Sequence, residues 1–190
     1  MTISDSKTLL WFRRQLRTHD QPLFECLDFE REKVTGIWIL DPREHLQMID
    51  GTTRCGPHRM RFLLESVEGL RQSLRALGTE LLIRVGEPET VLPQLIEALA
   101  IDRLCFVEEP GSEERTIERR VIELVSTRVT NLPADTLLEI EDPRSFADDL
   151  PDVFSKFRRS AEKRLEYARS RMTPKIIRTI PLSGEFDRGD

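Results

Sequence analysis

The chain has 190 residues, of which 38% are hydrophobic and 33% charged, with a formal net charge of −5. That length suits one domain with a tail or part of a second, and that apolar content can fill a core. No apolar run approaches the ~20 residues of a membrane span, and the acidic balance argues against indiscriminate nucleic-acid binding by the whole surface.

Thr8-Leu9-Leu10-Trp11-Phe12 opens the chain as a first strand, apolar on both faces and therefore buried on both. The polar run Arg13 to Asp20 follows, with Asp20 placed to cap a short helix that carries Pro22, Leu23, Phe24 and Leu27. Val34 to Leu40 reads as the second strand, stopped by Asp41-Pro42. Residues 41–58 read as a long loop, of the kind that often carries function. From Pro57 the apolar residues Met60, Leu63, Leu64, Val67, Leu70, Leu74 and Leu77 recur at helical spacing, and Gly78 suits the C-terminal cap. The third strand is Leu81 to Val85, the next helix about Pro88 to Ala100, and the fourth strand Arg103 to Val107. A helix from Ser112 carries Glu113 and Glu114 in its first turn, where acids complement the dipole, and buries Ile117, Val121, Leu124 and Val125. A short fifth strand lies near Arg128 to Asn131.

Strands alternating with helices imply an α/β fold: a doubly wound five-stranded parallel sheet, Rossmann-like, with helices on both faces. After Asn131 the periodicity stops. The expected organisation is an α/β core over residues 1–132, an irregular segment and basic C-terminal helix packed on it over 133–171, and a linker-like tail over 172–190. That last helix, about Val153 to Ser170, is expected to bury Phe154, Phe157, Ala161 and Leu165. Between Lys156 and Arg178 lie nine basic residues and two acidic ones, an asymmetry that invites a partner surface.

The chain contains no Gly-x-Gly-x-x-Gly, no Gly-Lys-Ser/Thr phosphate loop and no Gly-x-Ser-x-Gly elbow. His19, His45 and His58 have no neighbours at ligand spacing, so no metal site is expected. Cys26, Cys55 and Cys105 are odd in number and widely spaced, and read as reduced thiols. With no signal peptide in Met1 to Lys7, the expected location is the cytoplasm. Ligands of open α/β sheets lie beyond the carboxyl ends of the strands. Here those ends carry Arg13, Arg14 and Arg17, Asp41 to Arg43, Gly86, and Glu108 to Gly111. The three arginines are either solvated, paired with Asp20 and Asp41, or ligand-facing.

Several stretches resemble the DNA photolyases and cryptochromes. Leu10-Trp11-Phe12-Arg13-Arg14-Gln15-Leu16-Arg17-Thr18-His19-Asp20 resembles that family's opening. Asp41-Pro42-Arg43, Gly56-Pro57-His58-Arg59 with Phe62-Leu63-Leu64-Glu65-Ser66, Gly86-Glu87-Pro88, and Asp149-Leu150-Pro151-Asp152-Val153-Phe154 resemble the cryptochrome-DASH branch. The family usually has Asp where Gln15 stands and Asn where Gln21 stands.

The resemblance implies an antenna-type α/β domain related to light-dependent DNA repair or blue-light sensing, with Glu109, Glu113 and Glu114 at the positions of acidic antenna contacts. It implies a folate antenna (methenyltetrahydrofolate), and FAD only through a separate helical domain that would follow the tail and is absent from this sequence. No catalytic residue is expected here. The chain alone is expected to be incompetent for photorepair, to meet DNA only indirectly, and to have a flavin-binding helical domain in trans or a second copy of itself as partner. The alternatives are a stand-alone nucleotide or small-molecule binding protein and a homodimeric interaction module.

Overall fold

Five runs rich in β-branched, leucine and aromatic residues pair into one sheet: β1 (Ser6–Phe12), β2 (Glu32–Leu40), β5 (Leu81–Val85), β6 (Arg103–Val107) and β7 (Arg128–Leu132). All four pairings are parallel, and the spatial order is β5-β2-β1-β6-β7. The computed structural model describes residues 5–46, 48–133, 150–164, 170–183 and 186–189. The chain divides into two units, one comprising Met1–Ala134 with Arg171–Asp190 and the other Asp135–Ser170.

In the first unit the inner strands β1, β2 and β6 are largely buried on both faces, as their apolar runs require, while the edge strand β7 is half-exposed. Alternate side chains supply two separate cores. On one face Leu9, Trp11, Ile37, Leu82, Leu104 and Phe106 pack against α3 (Pro88–Leu99) and α4 (Ser112–Leu124). On the other, Leu10, Phe12, Trp38, Leu81 and Cys105 pack against α2 (Pro57–Ala76) and a 3-10 turn at Pro22–Phe24. The cap of that turn differs from expectation. Gln21 is the N-cap, while Asp20 adopts a left-handed backbone (φ 48°) and accepts the Arg171 N–H at 3.0 Å.

Helix α2 is long because its apolar positions keep a helical period for 20 residues, but only its second half is clamped to the sheet. Val67, Leu70 and Leu74 are buried, whereas Phe62 is 71% exposed and Leu64 48%. The stretch expected to be a bare loop at 41–58 is partly ordered. It forms one helical turn, α1 (Pro42–His45), capped by Asp41, and a small antiparallel pair, β3 (Met48–Ile49) and β4 (Thr52–Thr53). Asp50 and Gly51 turn that hairpin with φ of 50° and 80°, as a tight mirror-image turn needs.

The tail is not the linker that its prolines and glycines suggest. Strand β2 begins four residues before its partner β5 joins it, since β5 pairs only from Gly36 onward. Thr179 fills that open slot in a parallel bridge to Val34. Hydrogen bonds Val34 N–H to Arg178 O (2.7 Å) and Ile180 N–H to Val34 O (3.3 Å) hold it there. Ile177 is buried in one core and Ile180 in the other. Further on, the Ile83 N–H donates to Arg188 O at 3.1 Å, so the segment also covers the exposed edge of β5. Proline and glycine are at home on such an edge, where a strand need pair on one side only.

In the second unit, α5 (Phe154–Arg164) is basic, with Lys156, Arg158, Arg159 and Lys163 exposed. Phe157 is half-buried and Ala161 buried, but Phe154 is 73% exposed, against expectation. At the helix's first position its ring lies tilted on Phe157, centroids 6.2 Å apart. Leu165 and most of the irregular segment (134–149) lie outside the described residues.

Candidate functional site

From β1 the chain winds outward through β2 to β5, then crosses back to lay β6 on the other side of β1. The connections leaving β1 and β6 therefore run in opposite directions at the carboxyl ends of the strands, the usual place for a ligand in such a sheet. A cavity of about 770 Å³ occupies this edge, a size typical of small-molecule sites. Helices α2, α3 and α4 each begin at this edge, because each follows a strand's carboxyl end or the loop beyond it, so the positive ends of three helix dipoles converge here.

The lining mixes apolar Trp38, Phe62 and Leu63 with Arg14, Arg17, Arg54 and Arg59, of which Arg59 shares one face of α2 with Phe62 and Leu63. Trp38 is 3% exposed and meets the His45 ring edge-on at 6.5 Å. The Arg13 guanidinium stacks 4.7 Å over the Trp11 ring and forms a buried ion pair with Glu118. The same Glu118 oxygen accepts the Glu109 N–H at 2.8 Å, so one carboxylate on α4 ties together the loops leaving β1 and β6. Arg43 is wedged between Asp41 (2.6 Å) and Glu89 (2.7 Å), which pins the end of β2 to the start of α3. These two carboxylates raise the Arg43 pKa beyond its already high value. Burial pushes Glu89 upward, but the hydrogen bonds and charge of Arg43 outweigh it and hold Glu89 below the ordinary range.

A model of the DNA photolyase family matches residues 8–176. The chain belongs to the DNA photolyase family. It is 36% identical to a cryptochrome DASH from Gloeobacter violaceus over 165 residues, covering 85% of this chain and 33% of the relative. It is 29% identical to the blue-light photoreceptor PHR2 of Arabidopsis thaliana over 185 residues, covering 96% of this chain and 41% of that one. Among solved structures, a Synechocystis cryptochrome superposes with a TM-score of 0.85 at 27% identity, over 100% of this chain and 40% of that protein. The chain thus spans about a third of the length of the curated cryptochrome DASH relatives it matches.

The structure treats the three glutamates of this photolyase-family domain differently. Glu113 and Glu114 line the cavity, Glu113 paired with Arg54 at 2.7 Å and Glu114 with Arg14. Glu109 lies outside the lining. It is 4% exposed, its Oε2 stands 3.6 Å from Arg14 Nε, and its Oε1 has no hydrogen-bond partner among the described residues. Burial raises its pKa above the ordinary 4.5, and Arg13 and Arg14 only partly offset that. All three carboxylates already face arginines, Glu113 and Glu114 at the cavity and Glu109 outside it.

Of the rim arginines, Arg17 pairs with Asp20 as one reading had it (3.7 Å), while Arg13 and Arg14 pair with acids of α4 instead of Asp41. Gln21, at a position where the family usually has Asn, donates its amide to Gln15 O (2.9 Å) and Arg17 O (3.0 Å) and accepts the Leu23 N–H, holding the rim together.

Trp38, Arg54, Arg59 and Phe62 are site residues that periodicity alone does not single out. Phe62 did carry a signal, being a large aromatic residue outside the apolar stripe of α2. Among the described residues no group of three or more His, Cys, Asp or Glu is placed to hold a metal ion, and no helix is long and apolar enough to cross a membrane.

Proposed function

We propose that this chain is an antenna-type module of the photolyase–cryptochrome family. It holds an aromatic, anionic chromophore in the carboxyl-edge cavity and does not repair DNA by itself. The observation that carries this reading is the cavity lining, in which Trp38, Phe62 and Leu63 stand among Arg14, Arg17, Arg54 and Arg59 around about 770 Å³. A flat ring system suits the aromatic residues. Carboxylates or phosphates suit the guanidinium groups and the helix N-termini. A folate, with its pterin ring and glutamate tail, meets both demands, and so does a flavin nucleotide. Bound there, such a group would supply light absorption. The protein's part is to orient it, exclude water and neutralise its charge.

Exposed Phe62 and Leu64 on α2 support docking of this edge to a flavin-binding helical domain, in the same or another chain. The test is a titration of the purified 190-residue chain with methenyltetrahydrofolate, FMN, FAD and ATP, read by quenching of Trp11 and Trp38, beside a light-driven assay for cyclobutane-dimer repair. Quenching by folate or flavin, with no repair, is the expected result. Repair by this chain alone overturns the proposal, and so does the absence of quenching by any chromophore. Binding of ATP alone favours the second reading, a nucleotide-binding protein, which rests on the same switch-point crevice.

A further inference from the structure

Five arginines and four carboxylates line the carboxyl-edge cavity, but most of these charges are already answered. Arg13 pairs with Glu118, Arg14 with Glu114, Arg17 with Asp20 and Arg54 with Glu113. Asp41 is held by Arg43. Two charges are left over. Arg59, in the first turn of α2, and Glu44, in the single turn of α1, make no side-chain hydrogen bond or ion pair among the described residues. Glu44 lies in the field of Arg54 without bonding it, since that guanidinium is committed to Glu113.

A third group is half free. His45 follows Glu44 on α1, and its Nδ1–H donates to Asp41 O at 3.1 Å. A carbonyl oxygen only accepts, so the proton sits on Nδ1. In the neutral ring Nε2 is then an acceptor, and it has no partner among the described residues. The ring lines the cavity and is steadied by its edge-on contact with Trp38.

The elements set these groups in place. Arg59, Phe62, Leu63 and Ser66 recur at i, i+3, i+4 and i+7 and all line the cavity, so one face of the first half of α2 is turned towards it. The Ser66 hydroxyl is spent on Phe62 O at 2.7 Å. What that face offers a ligand is one cation beside one aromatic ring. The α1 turn, at the end of β2, offers two acceptors on successive residues. An arginine already bonded to a carboxylate presents little net charge to a ligand, whereas an unpaired one presents all of it.

We propose that Arg59, Glu44 and His45 select the chromophore: Arg59 binds its anionic group, while Glu44 and His45 Nε2 accept from N–H donors on the edge of its ring. The ligand class is a heteroaromatic anion with N–H donors on the ring, and chromophores that lack the charge or the donors bind weakly. This assignment rests on the chromophore reading of the cavity.

Dissociation constants of the purified 190-residue chain are measured by tryptophan quenching, at mildly alkaline pH, for FMN, riboflavin, N3-methyl-FMN and methenyltetrahydrofolate. Riboflavin lacks the phosphate of FMN, and N3-methyl-FMN lacks its imide N–H. The native chain should bind FMN about tenfold more tightly than either, the worth of one charge-assisted hydrogen bond. In Arg59→Gln the preference over riboflavin should fall below about twofold, and methenyltetrahydrofolate, whose glutamate tail is anionic, should weaken about tenfold. In Glu44→Ala/His45→Phe the preference over N3-methyl-FMN should fall below about twofold. Arg61→Gln removes the same charge from α2 at a position that pairs with Glu65 and does not line the cavity, and it should change no affinity. The assignment is overturned if either preference is missing from the native chain or survives its variant, if folate affinity is unchanged in Arg59→Gln, or if Arg61→Gln does as much as Arg59→Gln. Failure of every probe to bind the native chain instead sinks the chromophore reading itself, and this assignment with it.

Discussion

Glu118 accepts from the Arg13 guanidinium and from the Glu109 N–H with the same oxygen, and both members of its ion pair are more than nine-tenths buried. Removing it leaves an unpaired cation in an apolar setting. Glu118→Ala should lower the unfolding free energy by about 3–5 kcal/mol in urea denaturation, with part recovered in the double variant Arg13→Met/Glu118→Ala, because the large loss comes from the orphaned charge. Glu109 makes the opposite case. Its folded pKa is raised by burial, so the folded state binds its proton more tightly than the unfolded one. Its favourable contribution is therefore complete below the ordinary 4.5 and is lost as pH rises through the folded value. Glu109→Gln should be more stable than the native chain at pH 7. That advantage should vanish as the pH falls below the ordinary glutamate range, which denaturation midpoints measured across pH will read directly.

At the scale of elements, the tail segment and α2 each combine two roles. Arg178 to Ile180 extends β2 where β5 has not yet begun, and places Ile177 and Ile180 on opposite faces of the sheet. Ile180→Ala should destabilise the chain by about 2–5 kcal/mol, the range for truncating a buried isoleucine. It should also speed hydrogen exchange at the Val34 amide, which the tail alone holds on that side. A residue ruled only by local composition would show neither effect. Gly78 belongs to the same junction: its φ is +95°, and a Cβ there would stand 3.0 Å from Ile177 O. Gly78→Ala is therefore strained by backbone and neighbour alike, and should lower the melting temperature instead of raising it as helix propensity would suggest. In α2 the second half is core and the first half is wall. That division is why its apolar stripe ends in exposed Leu64 while Phe62 faces the cavity.

Across the whole molecule, carboxylates caught between arginines set the acid limb of stability. Glu80 is pushed up by burial but held below its ordinary value by Arg71 and Arg75, and Glu89 likewise by Arg43. Groups with lowered folded pKa contribute above the ordinary value and lose that contribution as pH falls through the folded one. Stability should therefore decline below about pH 4.5, the ordinary glutamate value. The double variant Glu80→Gln/Glu89→Gln should be weaker at pH 7 and show a flatter acid limb, as read from melting temperature against pH. The alternation of strands and helices was legible throughout, because a parallel strand buried on both faces is an unbroken apolar run and a covering helix is a stripe of period 3.6. The tail's role is hidden in its sequence for the complementary reason. A strand one bridge long, set among prolines and glycines, has no period to detect.

The chain's own residues determined that there would be five parallel strands, which helices would cover them, and which family's wording they share. Each of those is written locally, in burial period, turn residues and short motifs. Only the tertiary structure decided that Arg13 would meet Glu118 and that Arg14 would meet Glu114. Those partners sit far apart in the chain and become neighbours because β6 returns to the side of β1 rather than continuing beyond β5. The same reversal brings the start of α4, with Glu113 and Glu114, to the cavity rim. Local periodicity records that a residue is buried or exposed, but the order of strands is chosen by how whole helices and strands pack, and that choice assigns every charge its partner.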